Sequence, residues 1–355
     1  MSNKAWPERN AFRVLAGTAI VIAGIGFGLR PAAATDKIKI GTVHSQGGAS
    51  AFVAKAKGYF KEEGLDADLV LFNSAAPIAV AAASGDIDFG STALTAAFCN
   101  LAYQGTLKII AAGGWERHGF QTIGFIVSNQ AYAKGLRSFK DLKGHSVGIT
   151  QLGTPLEYDL SRVLKKHHIP DSDVKIVPLQ SNQNVASAVK GGEVDVGVQT
   201  VANVFPLVQR GDAKLLGWAV DELGGGQSTV TFTTGKMAQE HPDIVKRFLK
   251  AFAKGGATWD KAFLDAHGNR KDQPSAQEMI DIVAKTLGEK PEVVARGVGY
   301  FDPENRIVVS DLQDLLNWYQ AHGKIKDHID AQKLLDKRFV IEAKSAQSAE
   351  LPESK

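Results

Sequence analysis

Short polar segments that follow apolar, strand-like segments carry hydroxyl, amide and imidazole groups, which suit noncovalent binding of a small solute. The candidate ligand-binding residues in the first part of the chain are His44, Ser45, Gln46, Ser74, Ser91 and Thr92. Those in the second part are Gln151, Gly153, Thr154, Asn182, Gln199 and Thr200. In open parallel sheets, ligands bind beyond the carboxyl ends of strands, where helix N-termini favour anions. These residues therefore predict a binding site for a small polar or anionic solute.

Two of these candidates, Thr92 and Thr154, are each expected at the start of a helix. A hydroxyl and free backbone amides at that position could contact a ligand. The alternative is an N-cap that serves only its own helix. His44 has a similar alternative, since it could donate to an anion or merely cap the end of a strand.

The segment GGWERHGF carries Trp115 and Arg117 after a predicted strand. A guanidinium binds a carboxylate through two parallel hydrogen bonds, and an indole adds apolar contact area. We expect both side chains at the edge of the site, where they would suit an organic anion. The alternative is a solvent-exposed loop whose arginine contributes nothing to binding.

Several classes of chemistry lack their sequence signatures. The chain has no G-x-S-x-G elbow, no Walker A loop, no Rossmann glycine fingerprint and no H-E-x-x-H pattern. Its single cysteine, Cys99, lies in an apolar helical pattern and is expected to pack as a small hydrophobe. We therefore predict no catalytic residues, no metal site and no cofactor.

The N-terminus has the layout of a secretory signal peptide. Lys4, Arg9 and Arg13 precede an apolar stretch, and an A-x-A site ends at Ala34. Cleavage there would leave equal numbers of acidic and basic residues, which gives no support to a nucleic-acid partner. No cysteine lies near the cleavage site to carry a lipid. An uncleaved N-terminal anchor is the alternative to this exported, periplasmic protein.

The elements that must position the candidate residues occur twice. The segment SGDIDFG at Ser84–Gly90 has a looser copy, GEVDVG, 107 residues later, and the same shift aligns residues 41–98 without a gap. Both copies alternate predicted strands with helices, which indicates α/β lobes with mainly parallel sheets. The acidic residues of the repeated turn are predicted to be framework residues. Two such lobes would place the ligand in a cleft between them.

Four segments carry a resemblance to a known family: AKAKGYFKEEGLDADLV, AAASGDIDFGSTALTAAF, FKDLKGHSVGIT and VKGGEVDVGV. On these residues the chain resembles the periplasmic substrate-binding proteins of ABC importers that bind nitrate, sulfonates, taurine or thiamine precursors. The resemblance implies a two-lobed periplasmic binding protein fold of type II.

The same resemblance implies the order of the parts along the chain. A signal peptide would span 1–34, the first part of lobe 1 would span 35–127 and lobe 2 would span 128–222. A return to lobe 1 with C-terminal helices would occupy 223–345, and a disordered tail 346–355. The hinge would lie near Ser128 and at 223–227, where Gly224 to Gly226 could permit domain closure.

The function implied is capture of a small organic anion of the sulfonate, taurine or carboxylate class, with delivery to an ABC permease and its ATPase. The protein would act without catalysis, and as a monomer. The sulfonate and nitrate binders usually carry an aromatic residue where this chain has Gln199 and Thr200. An aromatic or aliphatic carboxylate therefore stays open as the ligand. The alternatives are an enzyme of the same fold that acts on a small heterocyclic or aromatic metabolite, and a ligand-sensing binding protein for a receptor.

Overall fold

A computed structural model describes residues 35–343 of the chain. The predicted signal peptide and the predicted tail from residue 346 lie outside the described residues. Among the residues that are described, no helix combines the length and apolar character needed to cross a membrane.

Strands and helices alternate through the first stretch, as the sequence pattern predicts. Its elements are β1 (Asp36–Val43), α1 (Ala49–Ala56), α2 (Tyr59–Glu62), β2 (Leu65–Phe72), α3 (Ala76–Ala83), β3 (Phe89–Thr92), α4 (Ala96–Tyr103), β4 (Leu107–Ala112) and β5 (Gly114–Glu116). The chain is not helical between α1 and α2, because Gly58 adopts a φ of 77°.

The second stretch repeats this order of elements. It contains β6 (Ile123–Ser128), α5 (Asn129–Ala133), β7 (Ser146–Ile149), α6 (Pro155–Lys166), β8 (Lys175–Pro178), α7 (Asn182–Gly191), β9 (Val196–Thr200), α8 (Val201–Gln209), β10 (Ala213–Trp218) and α9 (Ala219–Leu223).

The last stretch is mostly helical. It contains β11 (Gly226–Gln227), β12 (Val230–Thr234), α10 (Gly235–Glu240), α11 (Pro242–Phe263), α12 (Ala276–Leu287), α13 (Pro291–Arg296), β13 (Tyr300–Phe301), β14 (Ile307–Val308), α14 (Val309–Ala321) and β15 (Glu342–Ala343).

Two five-stranded sheets form the centres of two lobes. Lobe 1 has the strand order β2-β1-β3-β12-β4, and lobe 2 has the order β8-β7-β9-β6-β10. In each sheet four strands run in one direction, and the reversed strand, β12 or β6, is the one that the chain forms after crossing from the other lobe. The α/β class with mainly parallel sheets is confirmed, and the matching strand orders reproduce the internal repeat.

The chain enters lobe 2 earlier than the predicted boundary at Ser128. Strand β6 begins at Ile123 and pairs with β9 and β10 of the second sheet, so its backbone hydrogen bonds belong to lobe 2. At the return crossing, Gly226 and Gln227 form β11, which pairs with β5. The two crossings therefore run side by side.

The repeated acidic turn has the same structural task in both lobes. The Asp88 carboxylate accepts a hydrogen bond of 2.7 Å from the backbone amide of Lys39 at β1. The Asp195 carboxylate accepts one of 2.9 Å from the amide of Ser146 at β7. These aspartates hold β1 and β7 in place, which agrees with the predicted framework role.

The C-terminal helices pack on lobe 1 and belong to its core. The ring of Phe248 in α11 stacks on Phe89 of β3, with centroids 4.0 Å apart. The fully buried Trp259 donates from its indole to the carbonyl of Gly299 at 2.9 Å. Lobe 2 has its own core around Phe125, Val147 and Leu160.

Candidate functional site

A cavity of about 300 Å³ lies between the two lobes. Loops at the carboxyl ends of β1 and β3 line it from lobe 1, and loops after β7 and β9 line it from lobe 2. Its volume is at the lower end of the range for small-molecule sites. The position between the lobes is the one that the repeat predicts.

Most of the predicted site residues meet at this cavity. Those that line it are Ser45, Gln46, Ser74, Ser91, Thr92, Trp115, Gln151, Thr154, Asn182 and Thr200. His44, Arg117, Gly153 and Gln199 do not line it.

His44 and Gly153 form contacts away from the cavity. The His44 Nε2 atom lies 2.6 Å from the carbonyl oxygen of Leu287, at the end of α12. Gly153 has a φ of 68°, and its carbonyl accepts a hydrogen bond of 2.9 Å from the Ala96 amide of lobe 1. Gly153 therefore joins the lobes through its backbone rather than contacting the cavity.

Arg117 and Gln199 are held behind the cavity wall. The Arg117 guanidinium lies over the ring of Tyr300, with its central carbon 4.8 Å from the ring centroid. Gln199 is fully buried and donates to the carbonyl of Asn182 at 2.9 Å. The predicted pairing of Trp115 with Arg117 on one ligand is thus not formed, since only the indole lines the cavity.

Thr92 does not start a helix as expected, whereas Thr154 does. Thr92 ends β3, and the N-cap of α4 is Thr95, whose side chain accepts from the Phe98 amide at 3.1 Å. Thr154 is the N-cap residue of α6, but its hydroxyl donates to the Gln151 carbonyl at 3.0 Å instead of capping the helix. Both hydroxyl groups still lie at the cavity.

Several buried polar atoms at the cavity have no hydrogen-bond partner among the described residues. They are Gln46 Nε2, Trp115 Nε1, Thr122 Oγ1, Asn182 Oδ1 and Gln227 Nε2. A buried polar group left unpaired costs about 1 to 3 kcal/mol. Such a concentration of unpaired donors and acceptors at one cavity is typical of a ligand site.

The charged groups at the cavity are mostly acidic, which the sequence did not reveal. The carboxylates of Glu116, Asp159, Asp311 and Asp314 line it, against the single guanidinium of Arg162. No lysine or histidine within the described range 35–343 lines it. This excess of negative charge would repel the organic anion that the sequence predicts.

Burial shifts the acid–base behaviour of these groups. Burial, and then the neighbouring Glu116 charge, raise the pKa of Asp159 to about 7, although Arg162 opposes the shift. Burial also raises the pKa of Glu116 and of Asp311 above their usual values. The ionised forms of these three carboxylates are therefore poorly stabilised.

Glu116 links the cavity to the crossing between lobes. One of its carboxylate oxygens accepts from the amide of Thr122 at 2.9 Å and from the amide of Ile123 at 2.7 Å. It thereby fixes the backbone where the chain enters lobe 2.

Several of the missed residues lie on helix faces, whereas Glu116 lies in β5. Pro155, Tyr158, Asp159 and Arg162 line the cavity and have the spacing of one face of α6. This spacing can be recognised in the sequence, because Thr154 is expected to start the helix. Asp311, by contrast, comes from α14, which no local pattern connects with the strand ends.

The two lobes also meet beside the cavity. The Lys324 ammonium of lobe 1 lies 2.7 Å from the Glu157 carboxylate of α6. The indole of Trp318 in α14 donates to the Ser161 hydroxyl at 3.0 Å. These contacts join the two lobes beside the cavity.

Other reactive groups give no second site among the described residues. No group of three or more histidine, cysteine, aspartate or glutamate side chains is placed to hold a metal ion within residues 35–343. Burial raises the pKa of the Cys99 thiol to about 12, so the thiolate is disfavoured at neutral pH.

Comparison with known proteins relates this geometry to a family. Residues 47–261 match the family model described as NMT1/THI5 like. A Bacillus subtilis (strain 168) protein, provisionally named an aliphatic sulfonates-binding protein, is 25% identical over 305 residues, which cover 82% of this chain and 83% of that protein. A 4-amino-5-hydroxymethyl-2-methylpyrimidine phosphate synthase of Candida albicans (strain WO-1) is 26% identical over 220 residues, which cover 57% of this chain and 60% of the synthase.

A solved structure extends the comparison to the fold. The alkanesulfonate-binding protein SsuA from Xanthomonas axonopodis pv. citri, bound to MOPS, superposes with a TM-score of 0.67 at 17% identity. The match covers 84% of this chain and 98% of that chain. The predicted two-lobed periplasmic binding protein fold is confirmed, and the relatives include both binding proteins and an enzyme.

Proposed function

This chain belongs to the NMT1/THI5-like family, and we propose that it is the solute-binding component of an ABC importer. It captures a small organic solute in the interlobe cavity and delivers it to a membrane permease that an ATPase drives. It works outside the cytoplasmic membrane, in the periplasm. The observation that carries this proposal is the set of unpaired, buried polar atoms around one cavity lined by both lobes.

The proposal is a function without catalysis. Asp88 and Asp195 of the repeated turn accept from backbone amides, and the one cysteine is buried with a raised pKa. The synthase relative makes an enzyme of this fold the alternative. Incubation of the protein with its bound solute, followed by mass spectrometry, should return the solute unchanged. Turnover of the solute would favour the enzyme.

The binding site is tested by replacing an unpaired polar side chain with an apolar one of similar size. Gln46 is 4% exposed, and its Nε2 atom has no partner among the described residues. In Gln46→Met the free protein should keep or gain stability, by up to about 1 kcal/mol, because a desolvation cost disappears. The affinity for the captured solute should fall about tenfold or more, because the ligand loses a hydrogen bond.

Gln313→Met is the matched control. Gln313 does not line the cavity, and it bonds the Ile329 carbonyl at 3.1 Å and the Ala331 amide at 2.9 Å. Its replacement should lower the free energy of unfolding and leave the affinity unchanged. Thermal unfolding and calorimetric titration measure both quantities. If Gln46→Met behaves like Gln313→Met, the cavity is not the binding site.

Delivery has its own test. The solute-loaded protein should stimulate ATP hydrolysis by its permease and ATPase in proteoliposomes more than the empty protein does. Equal stimulation by both forms, or none, would contradict the transport role and favour the sensor alternative.

A further inference from the structure

We propose that the solute carries a positively charged nitrogen, which the carboxylates of Glu116, Asp159 and Asp311 hold at the interlobe cavity. This inference rests on the proposed solute-binding function and names the chemical class of the ligand. It replaces the organic anion that the sequence favoured.

The charge around the cavity is the first argument. Four carboxylates line it, and Arg162 is the single cationic side chain that the structure places there. That guanidinium is already shared, since its Nη1 atom lies 3.7 Å from the Asp159 carboxylate and its Nη2 atom donates to the Leu223 carbonyl at 3.4 Å. An anionic solute would have to enter against an excess of negative charge, whereas a cation would neutralise part of it.

The carboxylates come from both sides of the cleft, which is the second argument. Asp159 belongs to α6 of lobe 2, whereas Asp311 and Asp314 belong to α14, which packs on lobe 1. Glu116 lies at the crossing between the lobes. Closing the lobes without a counter-ion brings like charges together. A bound cation would instead contribute attraction to closure, so capture and closure would be coupled through the same groups.

The aromatic groups at the cavity are the third argument. Trp115, Tyr158 and Phe301 line it beside the carboxylates. Aromatic rings attract cationic nitrogen through their negative faces and also offer apolar area to the solute body. Carboxylates and aromatic rings together suit an organic ammonium, amidinium or guanidinium group.

The acid–base behaviour of Asp159 also favours a cationic solute. The groups that act on Asp159 are Glu116, which raises its pKa, and Arg162, which lowers it; Tyr158, Asp311 and Asp314 also line the cavity. A carboxylate with a pKa of about 7 ionises readily when a cation arrives, because the opposite charge lowers the pKa. Cation binding near neutral pH should therefore release protons to the buffer.

The test compares amines with anions that share a carbon skeleton. The purified protein is screened by thermal shift against paired solutes, such as phenethylamine with 3-phenylpropionate and butylamine with butane-1-sulfonate. The proposal expects stabilisation by members that carry a protonated nitrogen. Stabilisation only by anions without such a nitrogen would overturn it and leave the proposed function standing. No stabilisation by any solute of either charge would contradict the proposed function itself, and this inference with it.

A charge-neutralising variant tests the anchor directly. For the amine that binds best, Asp159→Asn should weaken binding by about tenfold or more, the loss expected for one charged hydrogen bond. The matched control is Asp281→Asn, because Asp281 is exposed on α12 and accepts from Gln277 Nε2 at 2.8 Å. It should leave the affinity unchanged. Calorimetric titration in buffers of different ionisation enthalpy should also detect proton release in the unaltered protein. An unchanged affinity in Asp159→Asn would overturn the assignment of this anchor.

Discussion

At the scale of single residues, several side chains at the cavity lower the stability of the ligand-free protein and favour binding of a solute. Gln46 and Trp115 are almost fully buried with donors that have no partner among the described residues, and Asp159 is ionised only with difficulty. Each is unfavourable in the empty protein and becomes favourable when a complementary group arrives. Stability and affinity should therefore change in opposite directions at these positions.

Asp159→Asn should stabilise the empty protein at pH 8 by up to about 4 kcal/mol, because each unit of pKa shift corresponds to about 1.4 kcal/mol. The pKa of Asp159 is raised from 3.8 to about 7, so the native state binds more protons than the unfolded state between these values. Stability of the unaltered protein thus falls as the pH rises through this window, and the advantage of the variant should vanish near pH 4.

Urea unfolding of both proteins at pH 4, 6 and 8 measures this difference. Asp281→Asn, as the exposed control, should show no such growth of the difference with pH. Equal stability of Asp159→Asn and the unaltered protein at pH 8 would show that the carboxylate is not destabilised in the empty cavity.

At the scale of elements, the glycines of the return crossing allow two strands to approach closely. Gly224 has a φ of 78° and a ψ of 177°, a conformation reserved for glycine. A Cβ atom at Gly225 would lie 2.7 Å from the backbone oxygen of Glu116 in β5. Gly224 is thus favoured by its backbone conformation and Gly225 by the close packing of the crossing strands, beyond the flexibility that the sequence suggested.

Gly225→Ala should lower the free energy of unfolding by at least about 1 kcal/mol, since overpacking against backbone commonly costs 1 to 3 kcal/mol. Gly191→Ala is the control, because its added Cβ would meet nothing closer than 3.8 Å at the end of α7. It should be neutral or stabilising by up to about 1 kcal/mol. Chemical denaturation distinguishes the two. An unchanged free energy of unfolding in Gly225→Ala would mean that the two crossings can move apart to make room for the added methyl group.

The sequence predicts these elements unevenly. The duplicated turn and the alternation of strands with helices follow from period and glycine position, and ten of the fourteen candidate residues line the cavity, as the rule for strand ends leads one to expect. Arg117 could not be placed, because its partner Tyr300 lies far along the chain. Asp311 was missed for the same reason, since only tertiary packing brings α14 to the cavity.

At the scale of the whole molecule, contacts between α6 and the region of α14 join two similar lobes. Glu157 is 5% exposed, and its carboxylate oxygens meet the Lys324 ammonium at 2.7 Å and the Gly153 amide at 2.6 Å. A buried charge that loses its partner costs about 3 to 5 kcal/mol. Opening the lobes would return Glu157 to water.

Lys324→Met should therefore shift the lobes toward an open arrangement and increase the radius of gyration in small-angle scattering. It should also accelerate solute dissociation about tenfold or more, because about 1.4 kcal/mol corresponds to a factor of ten. Lys254→Met is the control, since Lys254 forms an exposed ion pair with Glu62 within lobe 1. An unchanged scattering profile and dissociation rate in Lys324→Met would show that this contact does not hold the lobes together.

Hydrogen–deuterium exchange with and without the captured solute tests most directly whether the solute binds between the lobes. With the solute bound, exchange should be slower on both walls of the cavity, in residues 43–48 and 91–95 of lobe 1 and in residues 150–155 and 199–201 of lobe 2, and also at the crossing near Glu116. Protection confined to one lobe, or located away from the cavity, would show that the two lobes do not capture the solute together.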